Sequence, residues 1–67
     1  MSARLTARGV KTMLSRAGVD RSELTIYDWA DRVVITGPRD ARMKAFHALF
    51  ERGLACAPYR DWHEWSR

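Results

Sequence analysis

The chain has 67 residues, of which 46% are hydrophobic, and a formal net charge of +4 at pH 7. This length fits one domain with a small core, and the hydrophobic fraction argues against a chain that is disordered as a whole. No apolar run approaches the ~18 residues of a transmembrane helix, so a membrane partner is not expected. The single cysteine, Cys56, excludes an internal disulfide and, without a signal-peptide pattern, indicates the cytoplasm.

The basic residues are almost all arginine, with Lys11 and Lys44 as the two lysines among twelve basic side chains. A guanidinium group binds phosphate through two parallel hydrogen bonds, which favours a nucleic-acid partner. The alternative is that GC-rich coding places arginine at every basic position. A surplus of +4 is suggestive of nucleic-acid binding but does not separate these two interpretations.

A first helix is predicted over residues 3–17, with Ser2 as its N-cap and Gly18 just past its C-terminus. The first acidic residue of the chain is Asp20, so this helix is basic throughout. One side of the helix carries Arg4, Arg8 and Lys11. That side is either an ordinary solvated helix face or a surface that contacts phosphates.

Two strands rich in β-branched and aromatic residues are predicted over Leu24–Trp29 and Arg32–Gly37. A two-residue turn through Ala30 and Asp31 is disfavoured because neither residue readily adopts a positive φ; a four-residue loop from Trp29 to Arg32 gives the same pairing. The face predicted to pack on the helices carries Leu24, Ile26, Val33 and Ile35. The opposite face carries Thr25, Tyr27, Trp29, Arg32, Val34 and Thr36. This second face is unusually apolar for a solvated surface, and the chain's own tail, another protein or stacked bases could cover it.

The second helix is predicted to begin at Pro38 and to end at Gly53, with Leu54 folding back on Leu49 in a Schellman closure. Its apolar stripe, predicted to be the main wall of the core, carries Met43, Phe46, Leu49 and Phe50. A flank of small residues, where another element could approach closely, carries Ala41, Ala45 and Ala48. Arg42 lies beside the stripe, and its charged end is expected to reach water.

The C-terminal part is predicted to be a short edge strand or an extended segment over Leu54–Pro58, followed by an aromatic tail over 59–67. Trp62 and Trp65 would share one side if a helical turn forms there. The tail either packs back on the domain of residues 1–58 or serves as an arm that docks a partner.

No catalytic motif, cofactor motif or metal-binding pattern is present, so an enzyme is not predicted. Cys56, Asp61, His63 and Glu64 offer only one cysteine and one histidine, which is a weak zinc set. A phosphate could sit at the helix N-terminus near Arg39, but Pro38 removes one amide donor there and Asp40 repels anions.

The predicted fold is a small two-layer α+β domain of order α-β-β-α, with a β-hairpin and a possible third edge strand. The first functional hypothesis is a non-enzymatic protein-interaction module or inhibitor, including self-association. Its partner-binding residues would be Tyr27, Trp29, Val34, Trp62 and Trp65. The second hypothesis is a basic accessory protein that binds DNA or RNA. Its contacts would be made by Arg4, Arg8, Lys11, Arg21 and Arg32.

Overall fold

The computed structural model describes residues 4–67. The elements are α1 (Ala7–Arg16), β1 (Thr25–Trp29), β2 (Arg32–Thr36), α2 (Arg39–Glu51), β3 (Ala55–Pro58) and β4 (Trp62–Ser66). The strands form one antiparallel sheet in the order β1-β2-β4-β3. Helix α1 contacts β1 and β2, α2 contacts β3, and the two helices contact each other. The predicted α+β class is therefore confirmed, and neither helix within these residues is long and apolar enough to span a bilayer.

Helix α1 begins four residues later than predicted, at Ala7. Thr6 is the N-cap, and its hydroxyl accepts a hydrogen bond of 3.1 Å from an amide of the first turn. The carboxylate of Asp28 accepts a second hydrogen bond, of 2.9 Å, from the amide of Ala7. Leu5 precedes the helix and is buried in the core, which fixes the direction from which the chain enters. The predicted cap Ser2 lies outside the described residues.

Both helices end as the sequence predicts. Gly18 and Gly53 adopt positive φ angles of 75° and 82°, the conformation that lets the chain reverse after a helix. After α2, the amide of Leu54 donates to the carbonyl of Leu49 at 3.4 Å, which confirms the Schellman closure. Helix α1 closes in the same way, with an equivalent hydrogen bond of 2.9 Å.

The register of the β1–β2 hairpin is confirmed, with Ile26 opposite Ile35 and Tyr27 opposite Val34. Its turn is tighter than predicted, because Trp29 and Arg32 are themselves a pair of the ladder. The turn therefore has two residues, and Ala30 adopts a positive φ of 54°. A left-handed conformation costs a non-glycine residue about 1–2 kcal/mol. The strand pairing on both sides of the turn outweighs that cost.

The aromatic C-terminal segment forms strand β4, which pairs with β2 on one side and β3 on the other. Its side chains alternate between the two faces of the sheet, so Trp62 and Trp65 point in opposite directions. The helical turn that would have placed both indoles on one side does not form. Strand β3 is the short edge strand that the sequence allowed, and it contains Pro58.

The core lies between the helices and one face of the sheet. Its largest fully buried side chains are Val10, Leu14, Val33, Ile35, Leu49 and Trp65. Helix α2 meets this core through its small-residue flank, where Ala45 and Ala48 are buried. The predicted wall of large apolar side chains is only partly correct, because Phe46 is half-buried and Phe50 is 61% exposed. The alanines allow α2 to approach its neighbours closely, and this rotates the phenylalanines toward the rim.

Arg42 does not reach water as predicted and is only 4% exposed. Its Nε donates to the carbonyl of Gly37 at 2.9 Å, and its Nη2 donates to the carbonyl of Arg60 at 3.2 Å. The side chain therefore ties the start of α2 to the loop between β3 and β4.

Candidate interaction surface

The two helices pack on one face of the sheet. No helix of the described chain packs on its other face. Strand register assigns to this second face the side chains of Thr25, Tyr27, Trp29, Arg32, Val34, Thr36, Ala55, Ala57, Trp62, Glu64 and Ser66. We call it the open face. It includes all six β1 and β2 residues predicted for the solvent side of the hairpin. Residues of β4 and β3 extend this face beyond the hairpin.

A shallow cleft of about 220 Å³ lies on the open face, lined by Tyr27, Trp29, Val34, Trp62 and Glu64. Trp29 is 63% exposed and Tyr27 is 41% exposed, so their rings are available to a partner. Val34 is 4% exposed and forms part of the floor of the cleft. The cleft therefore has apolar walls and one carboxylate.

The carboxylate of Glu64 is held in a fixed position. Its Oε1 accepts a hydrogen bond of 2.9 Å from Arg32 Nη1, and its Oε2 accepts one of 3.1 Å from the indole of Trp62. These hydrogen bonds, above all the one from Arg32, lower the pKa of Glu64, so the group stays ionised. Arg32 also pairs with Asp31 at 3.3 Å. This small network orients Trp62 and balances the charge of Arg32.

The aromatic surface continues beyond the cleft. The ring of Tyr59 stacks on that of Trp62, with centroids 4.8 Å apart and planes 14° from parallel. Tyr59 is 45% exposed, so the outer side of this stack is accessible. Tyr59 was not identified from the sequence as part of a site, and Glu64 was named there only as a member of a weak zinc set. The alternation of residues 62–66 is the signal that could have placed Glu64 beside Trp62.

Four of the five predicted partner-binding residues lie together on the open face, since Tyr27, Trp29, Val34 and Trp62 all line the cleft. The fifth, Trp65, has no exposed surface and packs in the core. Its ring lies 5.6 Å from that of Phe46 and belongs to the other face of the sheet. Trp65 is thus unavailable to a partner in the folded protein.

The five predicted phosphate-contacting residues do not form one surface. Arg4 precedes α1 and donates to the carbonyl of Ala30 in the hairpin turn. Arg32 is engaged by two carboxylates. Arg21, in the loop after α1, donates from Nε to the hydroxyl of Ser15 in α1 at 3.2 Å. The two remaining residues, both on α1 and both exposed, are Arg8 and Lys11.

The residues of the weak metal set are also dispersed. Within residues 4–67, no three side chains of the metal-ligating types come together. Burial raises the pKa of the Cys56 thiol, which keeps it in the unreactive protonated form. Cys56 and His63 both belong to the helix-covered face of the sheet, in β3 and β4.

The open face is therefore the part of the described chain in which accessible aromatic side chains are concentrated. Comparisons with models of known protein families, with curated proteins and with solved structures found no match to this chain.

Proposed function

We propose that this protein is a small non-enzymatic interaction module, or inhibitor, that docks a protein partner on its open face. The observation that carries the proposal is the cleft between Tyr27, Trp29 and Trp62, which the described chain leaves uncovered. Tyrosine and tryptophan are the residue types most enriched at the energetic centres of protein interfaces. Exposed apolar clusters of this kind on small soluble domains commonly mark interaction sites.

Three features make the cleft suitable for a side chain of a partner protein. Its walls are rigid rings, which lose little conformational entropy on binding. Its floor includes the buried Val34, and its polar group, Glu64, is already oriented by two hydrogen bonds. A partner would therefore meet a preorganised surface, and preorganisation reduces the entropic cost of association.

The charge of the open face favours a protein over a nucleic acid. Arg32 is the basic residue that the strand register assigns to this face, and Glu64 and Asp31 neutralise it. The carboxylate of Glu64 also lines the cleft, where it would repel a phosphate. Phosphate-binding surfaces need uncompensated positive charge, which this part of the sheet does not offer.

The alternative is nucleic-acid binding through α1. Arg8 and Lys11 are exposed on this helix, and α1 contains no acidic residue. Helix α1 covers the face of the sheet opposite the cleft, so this surface is separate from the aromatic one. The two functions can therefore be tested with variants that leave the other surface intact.

We further propose that the protein acts in the reducing cytoplasm, where a lone thiol such as Cys56 remains reduced. Self-association is one form that the protein partner could take, with the open faces of two copies in contact.

The proposal is tested by photocrosslinking in the cells that produce the protein. A photoreactive phenylalanine analogue replaces Thr25, which is exposed on the open face, or Lys11, which is exposed on α1. We expect Thr25 to yield a discrete protein adduct, which is either a second protein or a dimer of this chain. The adduct should disappear in a Trp29→Ala background, because Trp29 forms a wall of the cleft.

Trp29→Ala removes a side chain that is 63% exposed, so the fold should keep its stability to within about 0.5 kcal/mol. Arg8→Gln is the matched control and should leave the Thr25 adduct unchanged. The proposal is wrong if Thr25 yields no protein adduct. Nuclease-sensitive adducts from Lys11 that vanish in Arg8→Gln would instead assign nucleic-acid binding to α1.

A further inference from the structure

A second pocket lies at the start of α2, where this helix meets the loop between β3 and β4. Its volume is about 330 Å³, and it is lined by Arg39, Arg42, Met43, Pro58, Tyr59, Arg60 and His63. Three of these side chains are permanently cationic, and none is acidic. The pocket therefore carries concentrated positive charge that its own walls do not neutralise.

Two of the lining side chains are almost completely buried, Arg42 at 4% exposure and His63 at 5%. Among residues 4–67, the ion pairs involve neither Arg42 nor the other two arginines of the pocket. Buried charges in proteins are normally paired, because removing an isolated charge from water costs several kcal/mol. Arg42 has only two carbonyl partners here, through Nε and Nη2. An anion in the pocket would supply the missing countercharge.

His63 adds a polar ring to the wall of the pocket. Its Nδ1 is buried and has no hydrogen-bond partner within the described chain. Burial and the nearby charge of Arg42 lower the pKa of His63, so the ring is neutral and adds no further positive charge. Because His63 and Arg42 line the same pocket, the ring resonances of His63 report on a ligand bound there.

The first turn of α2 lies beside the pocket and also bears on anion binding. Pro38 is the N-cap residue and makes no side-chain hydrogen bond to the helix. The amides of the first turn therefore lack a side-chain cap, and the positive end of the helix dipole is offset only by Asp40 in the same turn. Asp40 lies in this turn, but its side chain does not line the pocket.

We propose that this pocket binds the phosphate monoester group of a small molecule. Guanidinium groups match phosphate through bidentate hydrogen bonds, and three of them suit a dianion better than a singly charged carboxylate. Tyr59 forms one wall of the pocket and is accessible beside it, so an organic group attached to the phosphate could pack on its ring. None of the cleft residues lines this pocket, and the two sites meet where Tyr59 stacks on Trp62.

The test is an NMR titration of the full chain with inorganic phosphate and then phenyl phosphate, with chloride at equal ionic strength as the reference. We expect saturable shifts of the His63 ring resonances and of the amides at the start of α2 with both phosphates. Phenyl phosphate should bind more tightly if Tyr59 contributes. Shifts that fail to saturate, or that chloride reproduces, would overturn the proposal.

Variants locate the site. Arg39→Gln combined with Arg60→Gln changes two exposed side chains, so the fold should be retained, and phosphate affinity should fall about tenfold or more. Arg52→Gln is the matched control, because Arg52 is an exposed arginine that follows α2 at its other end. It should leave the affinity unchanged. If the double variant and the wild type bind phosphate with equal affinity, phosphate does not bind in this pocket.

Discussion

Deletion of residues 61–67 is expected to abolish cooperative folding. The deleted segment contains β4, which lies between β2 and β3 and is the only strand that β3 contacts in the sheet described here. Its loss would leave β3 unpaired and would remove Trp65 from the core. A domain of this size has only about 5–10 kcal/mol of net stability to lose.

Far-UV circular dichroism and thermal melting measure this effect. The truncated chain should show no cooperative transition, whereas deletion of Arg67 alone should leave the melting curve unchanged, because this residue follows β4 and is exposed. A truncated chain that still melts cooperatively would mean that the segment is a detachable tail rather than a central strand.

Trp65→Ala is expected to cost about 3–5 kcal/mol in the free energy of unfolding. Trp65 has no exposed surface, and its ring packs near Phe46 and opposite Val33 in the adjacent strand. Truncation to alanine would leave a large cavity at the centre of the core. Urea denaturation with the wild type as reference measures the loss.

Two control variants show whether the loss of stability in Trp65→Ala comes from the burial of this position or from the removal of any tryptophan. Trp62→Ala removes an indole from the open face and should cost clearly less, because Trp62 is only partly buried. Trp65→Phe keeps an aromatic ring and removes an indole N–H that is buried without a hydrogen-bond partner, so it should also cost less than the alanine variant. Similar losses for Trp62→Ala and Trp65→Ala would contradict the alternation of β4.

The register of the hairpin and the C-terminal ends of both helices were predictable because local rules decide them. The pairing of Ile26 with Ile35 follows from β-branched alternation, and Gly18 and Gly53 are needed where φ becomes positive. Strand β4 was not predictable in the same way. Its sequence alternates and its two tryptophans favour a strand, but it has no β-branched residue and Glu64 has low strand propensity. It becomes a strand through pairing with β2 and β3.

Helix α2 illustrates a second limit. Hydrophobic spacing favours a face built from Phe46 and Phe50, yet the structure buries Ala45 and Ala48 more completely. Small side chains let a helix pack closely against its neighbours. Hydrophobic periodicity does not show how close that packing is, so it cannot tell whether the alanines or the phenylalanines face the core. Arg42 was misplaced for another reason, because its burial depends on two carbonyl partners, Gly37 just before α2 and Arg60 in the loop between β3 and β4.

The candidate interaction surface was partly predictable. Tyr27, Trp29 and Val34 follow from the hairpin register, but their neighbours on the open face depend on β4. The ion pair of Glu64 with Arg32 joins residues that are 32 positions apart in the sequence, so no local pattern predicts it. The arginine pocket likewise needs the loop after β3 to meet the start of α2.

The sheet buries Trp65 on one face and presents Trp29 and Trp62 on the other. Acrylamide quenching of variants that retain one tryptophan each, with phenylalanine at the other two positions, measures this difference at a concentration where the protein is monomeric. Trp29 should be quenched most strongly, Trp62 less and Trp65 least, in the order of their exposure. Quenching of Trp65 as strong as that of Trp29, or a shielded Trp29, would contradict the open aromatic face.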